Sequence, residues 1–403
     1  MTRRVAITGA GVISSIGLNR DEFWQALREG RPGIGPLQAV NGADLRFANS
    51  AEVRGFDPLR HFDSKGVEFL DRFAQFAVVT AREAVADAGI EWTADLKQQT
   101  AVVAGACVGG QTSEDAEFVE LYKKGRPRVH PLTVARVMSS AGASHISMDL
   151  GLTGPCFTIS TACSSANHSL GQAFWMVRNG AAEMAIAGGS EAPFSLGHLK
   201  AWEAMRVVAP DTCRPFSLDR KGMILGEGGA MLVLEPLDRA MARGARVYGE
   251  IVGFGMSADA HHITQPSTDG AARAMEAALR DAGVAGDAVG YINAHGTATA
   301  ANDATECAAI RKVFGPHAGR LLVSSTKSMH GHTLGAAGAI EAAASVLALH
   351  HGVLPPTANF TAPDPECDLD VIPNAARDAK VEYALSNSFA FGGLNAVLVF
   401  RAV

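Results

Sequence analysis

The sequence predicts an α/β protein built from two similar halves, with a mixed or parallel sheet covered by helices. Three observations carry this expectation. Short apolar runs alternate with longer helix-period segments along the whole chain, which is how strand–helix units read. Hydrophobic residues make up 47% of the 403 positions and charged residues 19%, so a sizeable core can be buried. Residues 226–235 (GEGGAMLVLE) and 391–400 (FGGLNAVLVF) also echo one another. Each is a Gly-Gly turn feeding an apolar strand.

Strands are expected near 4–8, 100–107, 156–161, 183–188, 229–235, 247–254, 288–293, 321–325, 381–388 and 395–401. Helices are expected around 21–29, 69–88, 132–149, 164–179, 269–283, 302–314 and 333–350. The helix at 269–283 opens on Asp269-Gly270 and stops at Gly283, residue types suited to a start and an end. A second echo pairs Ser160-Thr161 with Ser325-Thr326, each after a strand and before a helix carrying Leu-Gly, at 170–171 and 334–335. If these echoes mark a duplication, the halves are roughly 1–245 and 246–403, and no Ser/Pro-rich linker or charge block divides them.

A net charge of −6 gives no global attraction to nucleic acid or to an anionic membrane. The six cysteines (107, 156, 163, 213, 307 and 367) are scattered, with no C-x-x-C pair and no zinc-finger spacing of His. That distribution suits reduced, mostly buried thiols better than a disulfide framework or a metal site. The start, Met-Thr-Arg-Arg followed by Val5-Ala6-Ile7-Thr8, is too short an apolar run for a signal peptide. No stretch approaches the ~18 uninterrupted apolar residues of a membrane span. A soluble, cytoplasmic protein is expected.

Four segments bring together residue types with chemistry. In Thr158-Ile159-Ser160-Thr161-Ala162-Cys163-Ser164-Ser165-Ala166, an apolar strand breaks into small residues at a helix start. A cysteine there meets the helix's positive end and free backbone N–H groups, which favour a thiolate and can hold an oxyanion. A buried strand-end thiol reads equally well from that segment alone; Cys156, Cys213 and Cys307 lack its setting and read as structural. Tyr291-Ile292-Asn293-Ala294-His295-Gly296-Thr297-Ala298-Thr299 ends a strand on an imidazole before a Gly turn, a common location for catalytic groups, though a histidine satisfied within its turn also fits. Ser324-Ser325-Thr326-Lys327-Ser328-Met329-His330-Gly331-His332 follows another strand and leads into a Gly/Ala-rich helix. Lys327 there is either solvated or, if buried, paired. Asn387-Ser388-Phe389-Ala390-Phe391-Gly392-Gly393 is a turn with available amides. Together they supply a nucleophile, separate imidazoles and a Gly-rich amide turn, the inventory of acyl-thioester chemistry.

These blocks, in this order and spacing, resemble the β-ketoacyl synthase family. The match runs from Val5-Ala6-Ile7-Thr8-Gly9 to Phe391-Gly392-Gly393 and covers nearly the whole chain; Arg214-Pro215-Phe216 followed by Gly226-Glu227-Gly228 adds a fifth block. The likeness is to the bacterial type II synthases that elongate fatty acids. At Ala209-Pro210-Asp211-Thr212-Cys213-Arg214-Pro215-Phe216 it extends to nodulation-E and aryl-polyene ketosynthases. The resemblance implies a thiolase-like fold, two duplicated halves in a five-layer α-β-α-β-α arrangement, usually as a homodimer. It implies decarboxylative condensation of malonyl-acyl-carrier-protein with an enzyme-bound acyl chain.

By that resemblance Cys163 carries the acyl chain, and His295 and His332 hydrogen-bond the malonyl thioester carbonyl as carboxylate leaves. Neutral imidazole N–H groups suit the enolate that forms. The amides of Cys163 and Phe391 stabilise the tetrahedral oxyanion, and loss of CO₂ removes the need for an Asp or Glu base. Lys327 is expected to orient His332 and the local charge, with Glu306 as a partner. Thr297 and Thr299 should line the pantetheine channel, and Val108, Trp202, Met223 and Phe389 the acyl pocket. No metal or organic cofactor is implied beyond the phosphopantetheine arm of an acyl carrier protein.

Some positions depart from the family pattern. Ala390 stands where Gly is common, Met223 where Phe is common, and Val108 is smaller than the usual Ile, so an altered chain-length preference is expected. An acidic carrier needs a basic landing site, for which Lys65, Arg72, the run Lys123-Lys124-Gly125-Arg126-Pro127-Arg128, Lys200 and Arg206 are candidates.

Competing classes fare worse. Gly9-Ala10-Gly11-Val12-Ile13-Ser14 fails the dinucleotide fingerprint at Ser14, and no Tyr-x-x-x-Lys pair occurs. A Cys/His acyl hydrolase would leave the Phe391 and Lys327 blocks unexplained. The main alternative is a non-catalytic, chain-length-setting partner of a ketosynthase heterodimer. Such subunits characteristically lack the cysteine, which is present here.

Overall fold

The computed structural model describes residues 2–403. Its ten main strands fall where the apolar runs predicted them: β1 (Val5–Ser14), β2 (Thr100–Gly105), β3 (Cys156–Ile159), β4 (Met184–Glu191) and β5 (Gly228–Pro236), then β6 (Gly249–Ala258), β7 (Val289–Asn293), β8 (Leu322–Ser324), β9 (Tyr383–Ala390) and β10 (Leu394–Arg401). β1, β2, β4 and β5 are buried along their whole length, which is why they read as continuous apolar runs without alternation.

The strand order is β8-β7-β9-β10-β6-β1-β5-β4-β2-β3. It is a mirrored order about the centre, where β1 meets β6 in a short antiparallel pairing from Val5↔Ile251 to Ile7↔Gly249. Outward from that pairing, each half has two antiparallel and then two parallel neighbours. The echo between 226–235 and 391–400 is this duplication, since β5 and β10 hold equivalent places.

The helices that position the site are α1 (Arg72–Ala88), α2 (Ala141–Leu150), α3 (Ser165–Arg178), α4 (Leu196–Met205), α5 (Thr268–Ala282), α6 (Ala300–Phe314) and α7 (Ala337–His351). α1 and α2 cover one outer face and α5, backed by α6, the other, while α3 and α7 lie between the halves and touch strands of both. The result is five layers, α-β-α-β-α. α7 is buried at every position from Ala337 to Leu349, as a helix enclosed on all sides must be. A Cβ at Gly338 would stand 2.5 Å from Asn167 Oδ1 of α3, so the two central helices approach this closely only with glycine there.

Several expected boundaries shift. The predicted 132–149 helix breaks into Thr133–Val137 and α2, with Met138 extended between them. Ser139 and Ser140, which favour local side-chain bonding over helix interiors, lie at the break. The predicted 333–350 helix starts as a 3₁₀ turn at Leu334–Ala336. Leu334-Gly335 therefore precedes its helix, whereas Leu170-Gly171 sits inside α3, and that echo is out of register. α5 is capped by Ser267, which accepts from Gly270 N, not by Asp269. Helix Gln111–Phe118 and α4 were not expected; each has weak apolar periodicity.

Candidate functional site

Cys163 sits in the turn between β3 and α3. Ser165 Oγ accepts from Thr161 N (2.9 Å) and donates to Ala162 O (2.6 Å), and Ser164 Oγ donates to Thr161 O (2.8 Å). These small hydroxyls hold a tight turn in which Ala162 has a φ of 50°, a strained conformation of the kind that gathers at functional sites. A Cβ on Gly105, at the end of β2, would meet Ala166 N at 2.6 Å, so that glycine lets the turn press against the sheet. The Cys163 thiol is buried, and burial pushes its pKa up to about 12, against the opposing pull of Lys327's charge and of hydrogen bonding from the Cys163 and Phe391 N–H groups. The helix terminus was expected to favour a thiolate; desolvation outweighs it. The same two amides converge on the sulfur.

His295 follows β7. Glu306 of α6 fixes its backbone, accepting from His295 N (2.9 Å) and Gly296 N (2.8 Å), and is itself held by Asn387 Nδ2 (3.1 Å). Lys327, fully buried, donates to His295 O (2.6 Å), lies 3.4 Å from His295 Nδ1, and forms an ion pair with Glu341 of α7. The partner of Lys327 is therefore Glu341, not Glu306, and the imidazole it touches is His295, not His332. Glu341 is the one charge in the Ala-rich stretch of α7; an isolated acid there was the sequence signal for a buried partner.

His332 donates its backbone N–H to Ile224 O (2.7 Å), and its Nδ1 accepts from Leu334 N (3.2 Å). Its Nε2 therefore carries the proton and is buried without a partner. Lys327 imposes the same tautomer on His295, since an ammonium can only donate. The two rings stand 5.4 Å apart at 86°. Both imidazoles titrate well below the ordinary range, first because they are buried and then because Lys327's charge opposes theirs. The site thus offers two neutral N–H donors. His330 is buried too, but is spent on Gly331 O (2.8 Å) and Thr326 Oγ1 (3.0 Å).

A cavity of about 100 Å³ joins these groups; Cys163, His295, His332, Thr297, Thr299, Met223, Phe389 and Phe391 all line it. Val108 and Trp202 lie beyond it in an adjoining apolar cluster with Met223 and Phe391, and the Trp202 and Phe391 rings stack at 6.0 Å. The mouth is partly formed by residues 262–266, which sequence reasoning missed; Ile263 O accepts from Gly392 N (2.7 Å) and so ties that segment to the Phe391 turn. Among the described residues no group of three or more His, Cys, Asp or Glu side chains is placed to hold a metal.

The basic candidates divide. Arg72 is a structural residue: it makes two hydrogen bonds to Glu227 (2.8 and 2.7 Å) and lies over the Phe76 ring. Lys200 binds Asp44 O and Glu203, and Lys124 and Arg126 pair with Glu120. Lys65, Lys123, Arg128 and Arg206 are exposed and have no ion-pair partner among the described residues. Of the six thiols, expected to be mostly buried, four are buried, Cys107 is half-buried and Cys156 is exposed on β3.

Mirrored strand–helix halves that bring a cysteine and two imidazole donors into one cavity are the frame of the thiolase-like condensing enzymes. Residues 2–240 match the N-terminal domain of β-ketoacyl synthases and residues 248–361 the C-terminal domain, and the chain belongs to the β-ketoacyl synthase family. It is 48% identical over 403 residues to nodulation protein E of Rhizobium sp. (strain N33), covering all of both chains. It is 42% identical to 3-oxoacyl-[acyl-carrier-protein] synthase 2 of Synechocystis sp., covering 99% of this chain and 98% of that one. Among solved structures it is similar to the ishigamide ketosynthase/chain length factor, with a TM-score of 0.96 and 38% identity over all of both chains. It is also similar to a chain in the complex of a type II PKS acyl-carrier protein with its ketosynthase bound to the hexaketide (TM-score 0.89, 31% identity, all of both chains).

Proposed function

We propose that this chain catalyses the decarboxylative condensation of malonyl-acyl-carrier-protein with an acyl group held as a thioester on Cys163, giving a 3-oxoacyl-acyl-carrier-protein. The observation that carries the reading is the pair of neutral, Nε2-protonated imidazoles facing the same cavity as the thiol. Cys163 gives up its thiol proton and attacks the incoming acyl thioester, and the N–H groups of Cys163 and Phe391 stabilise the tetrahedral oxyanion. The carrier's sulfur leaves and takes up a proton as its free thiol. The malonyl thioester carbonyl then accepts from His295 and His332. As CO₂ departs, electron density moves onto that oxygen, where two pre-aimed donors in a dry site act most strongly. The resulting carbanion attacks the acyl-Cys163 carbonyl, and the adduct collapses by expelling the Cys163 thiolate, which takes up a proton and restores the free thiol. Decarboxylation itself generates the nucleophile, so the reaction asks for no carboxylate base.

Thr297 and Thr299 line the approach to the thiol and suit a phosphopantetheine arm, the one prosthetic group the reaction needs, which the carrier brings. A homodimer is the assembly that the surface favours. β3 is an edge strand with exposed Cys156 and Phe157, and Met148 of the neighbouring α2 is 65% exposed. An apolar open edge of this kind is a ready pairing surface for a second copy. Among the described residues no helix is long and apolar enough to cross a membrane, in keeping with a cytoplasmic reading. A non-catalytic partner role remains the alternative, with the complete cysteine–histidine set against it.

The test is intact-protein mass after incubation with a panel of acyl-carrier-proteins. An added acyl mass that is absent in Cys163→Ala supports the nucleophile. A folded protein that accepts no acyl chain refutes the catalytic reading and favours the partner subunit.

A further inference from the structure

The cavity at Cys163, about 100 Å³, is well below the roughly 300–1,000 Å³ that ligand sites commonly enclose. A long acyl chain on the thiol therefore needs space from a wall that moves. The apolar lining continues past the cavity: Met223 and Phe391 share one cluster with Val108 and Trp202, and that cluster runs on to Leu37, Val40, Leu45 and Phe47.

The walls of the cluster differ in how firmly they are held. Phe194, Leu199, Leu225 and Leu334 are at most 3% exposed. Trp202 is pinned through its Nε1–H to His198 Nε2 (2.8 Å). Residues 37–47 form a surface loop in which only Phe47 is fully buried, while Leu37, Val40 and Leu45 are half-buried. Leu37 N donates to Ala48 O (2.9 Å), and Gly35-Pro36 pairs with Asn49-Ser50, closing the loop at its base. Near that base Gln38 N donates to the buried Glu52 carboxylate (2.7 Å), while the outer part is tethered only by polar contacts at exposed positions, Lys200 Nζ to Asp44 O and Arg46 N to the Glu203 carboxylate. Segments held by a few exposed hydrogen bonds open at the low end of a protein's local stability.

We propose that the 37–47 loop is the yielding wall of the acyl site. The distal methylenes of a long chain on Cys163 push aside Leu37, Val40 and Leu45 and take their place against Trp202, so these side chains set the longest chain accepted. The proposal rests on the acyl-thioester function above. Displacing side chains that are already half in solvent uncovers little new apolar surface, whereas the buried chain removes all of its own from water.

Loading of palmitoyl- and hexanoyl-acyl-carrier-protein onto Cys163, followed by intact mass, tests it in Leu45→Trp and Leu45→Ala. The larger side chain overpacks the wall, and the palmitoyl-to-hexanoyl ratio should fall about tenfold or more in Leu45→Trp, as overpacking of an apolar site leads one to expect. It should rise in Leu45→Ala. Ratios unchanged from wild type, or an equal fall for both chains, overturn the proposal. Should Leu45→Trp fail to fold, Leu45→Ala and Val40→Ala must still raise the ratio. A wild-type protein that loads neither chain instead overturns the acyl-thioester function itself, which separates the two failures.

Discussion

Replacing Lys327 with Met removes the one cation that holds His295 in its tautomer and neutralises Glu341. Breaking a buried ion pair by deleting one partner typically costs about 3–5 kcal/mol, and that is the expected loss at pH 8. The loss depends on pH in a definite direction. Burial already raises the Glu341 carboxyl from 4.5 to about 7, with Lys327 opposing the rise, so without Lys327 it moves higher. Toward pH 6, below that raised value and above the ordinary 4.5, the folded variant then keeps this carboxyl protonated while the unfolded chain has it ionised. The folded state binds one proton more, and stability rises by ~1.4 kcal/mol per unit as pH falls. The double variant Lys327→Met/Glu341→Gln leaves no unpaired charge and should recover most of the stability at pH 8. It should not recover chemistry, because nothing then obliges His295 Nδ1 to accept. Loss of one aimed donor predicts about a 10²–10³-fold drop in malonyl decarboxylation. Urea unfolding at both pH values and CO₂ release by the double variant are the measurements. A stable double variant with wild-type CO₂ release would refute the role given to Lys327.

Two further outcomes follow from the same geometry. Val108→Phe adds a ring to the apolar cluster beside Trp202 and should shift acyl loading toward shorter chains; a chain-length profile identical to wild type would count against Val108 as a pocket wall. Charge reversal at Lys65 and Arg206, both exposed and free of ion pairs among the described residues, should weaken carrier binding more at low salt than at high salt, because surface attractions are screened within about 10 Å at 0.1 M; salt-independent binding by the wild type would remove both from the docking face.

What the sequence made legible was what local pattern controls. All ten expected strands form the sheet, because short β-branched or alanine-rich apolar runs are a local signal. Cys163, His295 and His332 stood out because each follows a short strand in a small-residue turn. The partners of Lys327 and Glu306 did not, since those contacts join elements far apart in the chain: Lys327 reaches across 14 residues to Glu341 and 32 to His295. Arg72 looked like a free surface cation because nothing near it in sequence reveals Glu227, 155 residues on. The thiol was misjudged for a related reason. A helix N-terminus is visible in sequence, while the complete burial that outweighs it is a property of the assembled layers.

The duplication explains why the site has the composition it does. β2 and β7 are equivalent strands, and the loop after β2 carries Cys107 and Val108 where the loop after β7 carries His295. β3 and β8 are equivalent, and the turn after β3 carries Cys163 where the segment after β8 carries Lys327 and His332. On the proposed mechanism one half therefore supplies the nucleophile and a wall of the acyl pocket, and the other the N–H donors. Both α3 and α7 start from these loops and pack against each other in the middle layer. The thiol and the imidazoles are thus fixed by the best-buried part of the molecule, with Gly338 and Gly105 allowing the approach. A rigid centre of this kind can aim donors at a developing oxyanion but cannot widen for a longer acyl chain. On the proposed reading, adaptation to chain length comes from the periphery of the pocket, from the size of the residue at Val108 and the yielding of the 37–47 loop, without moving the atoms that react.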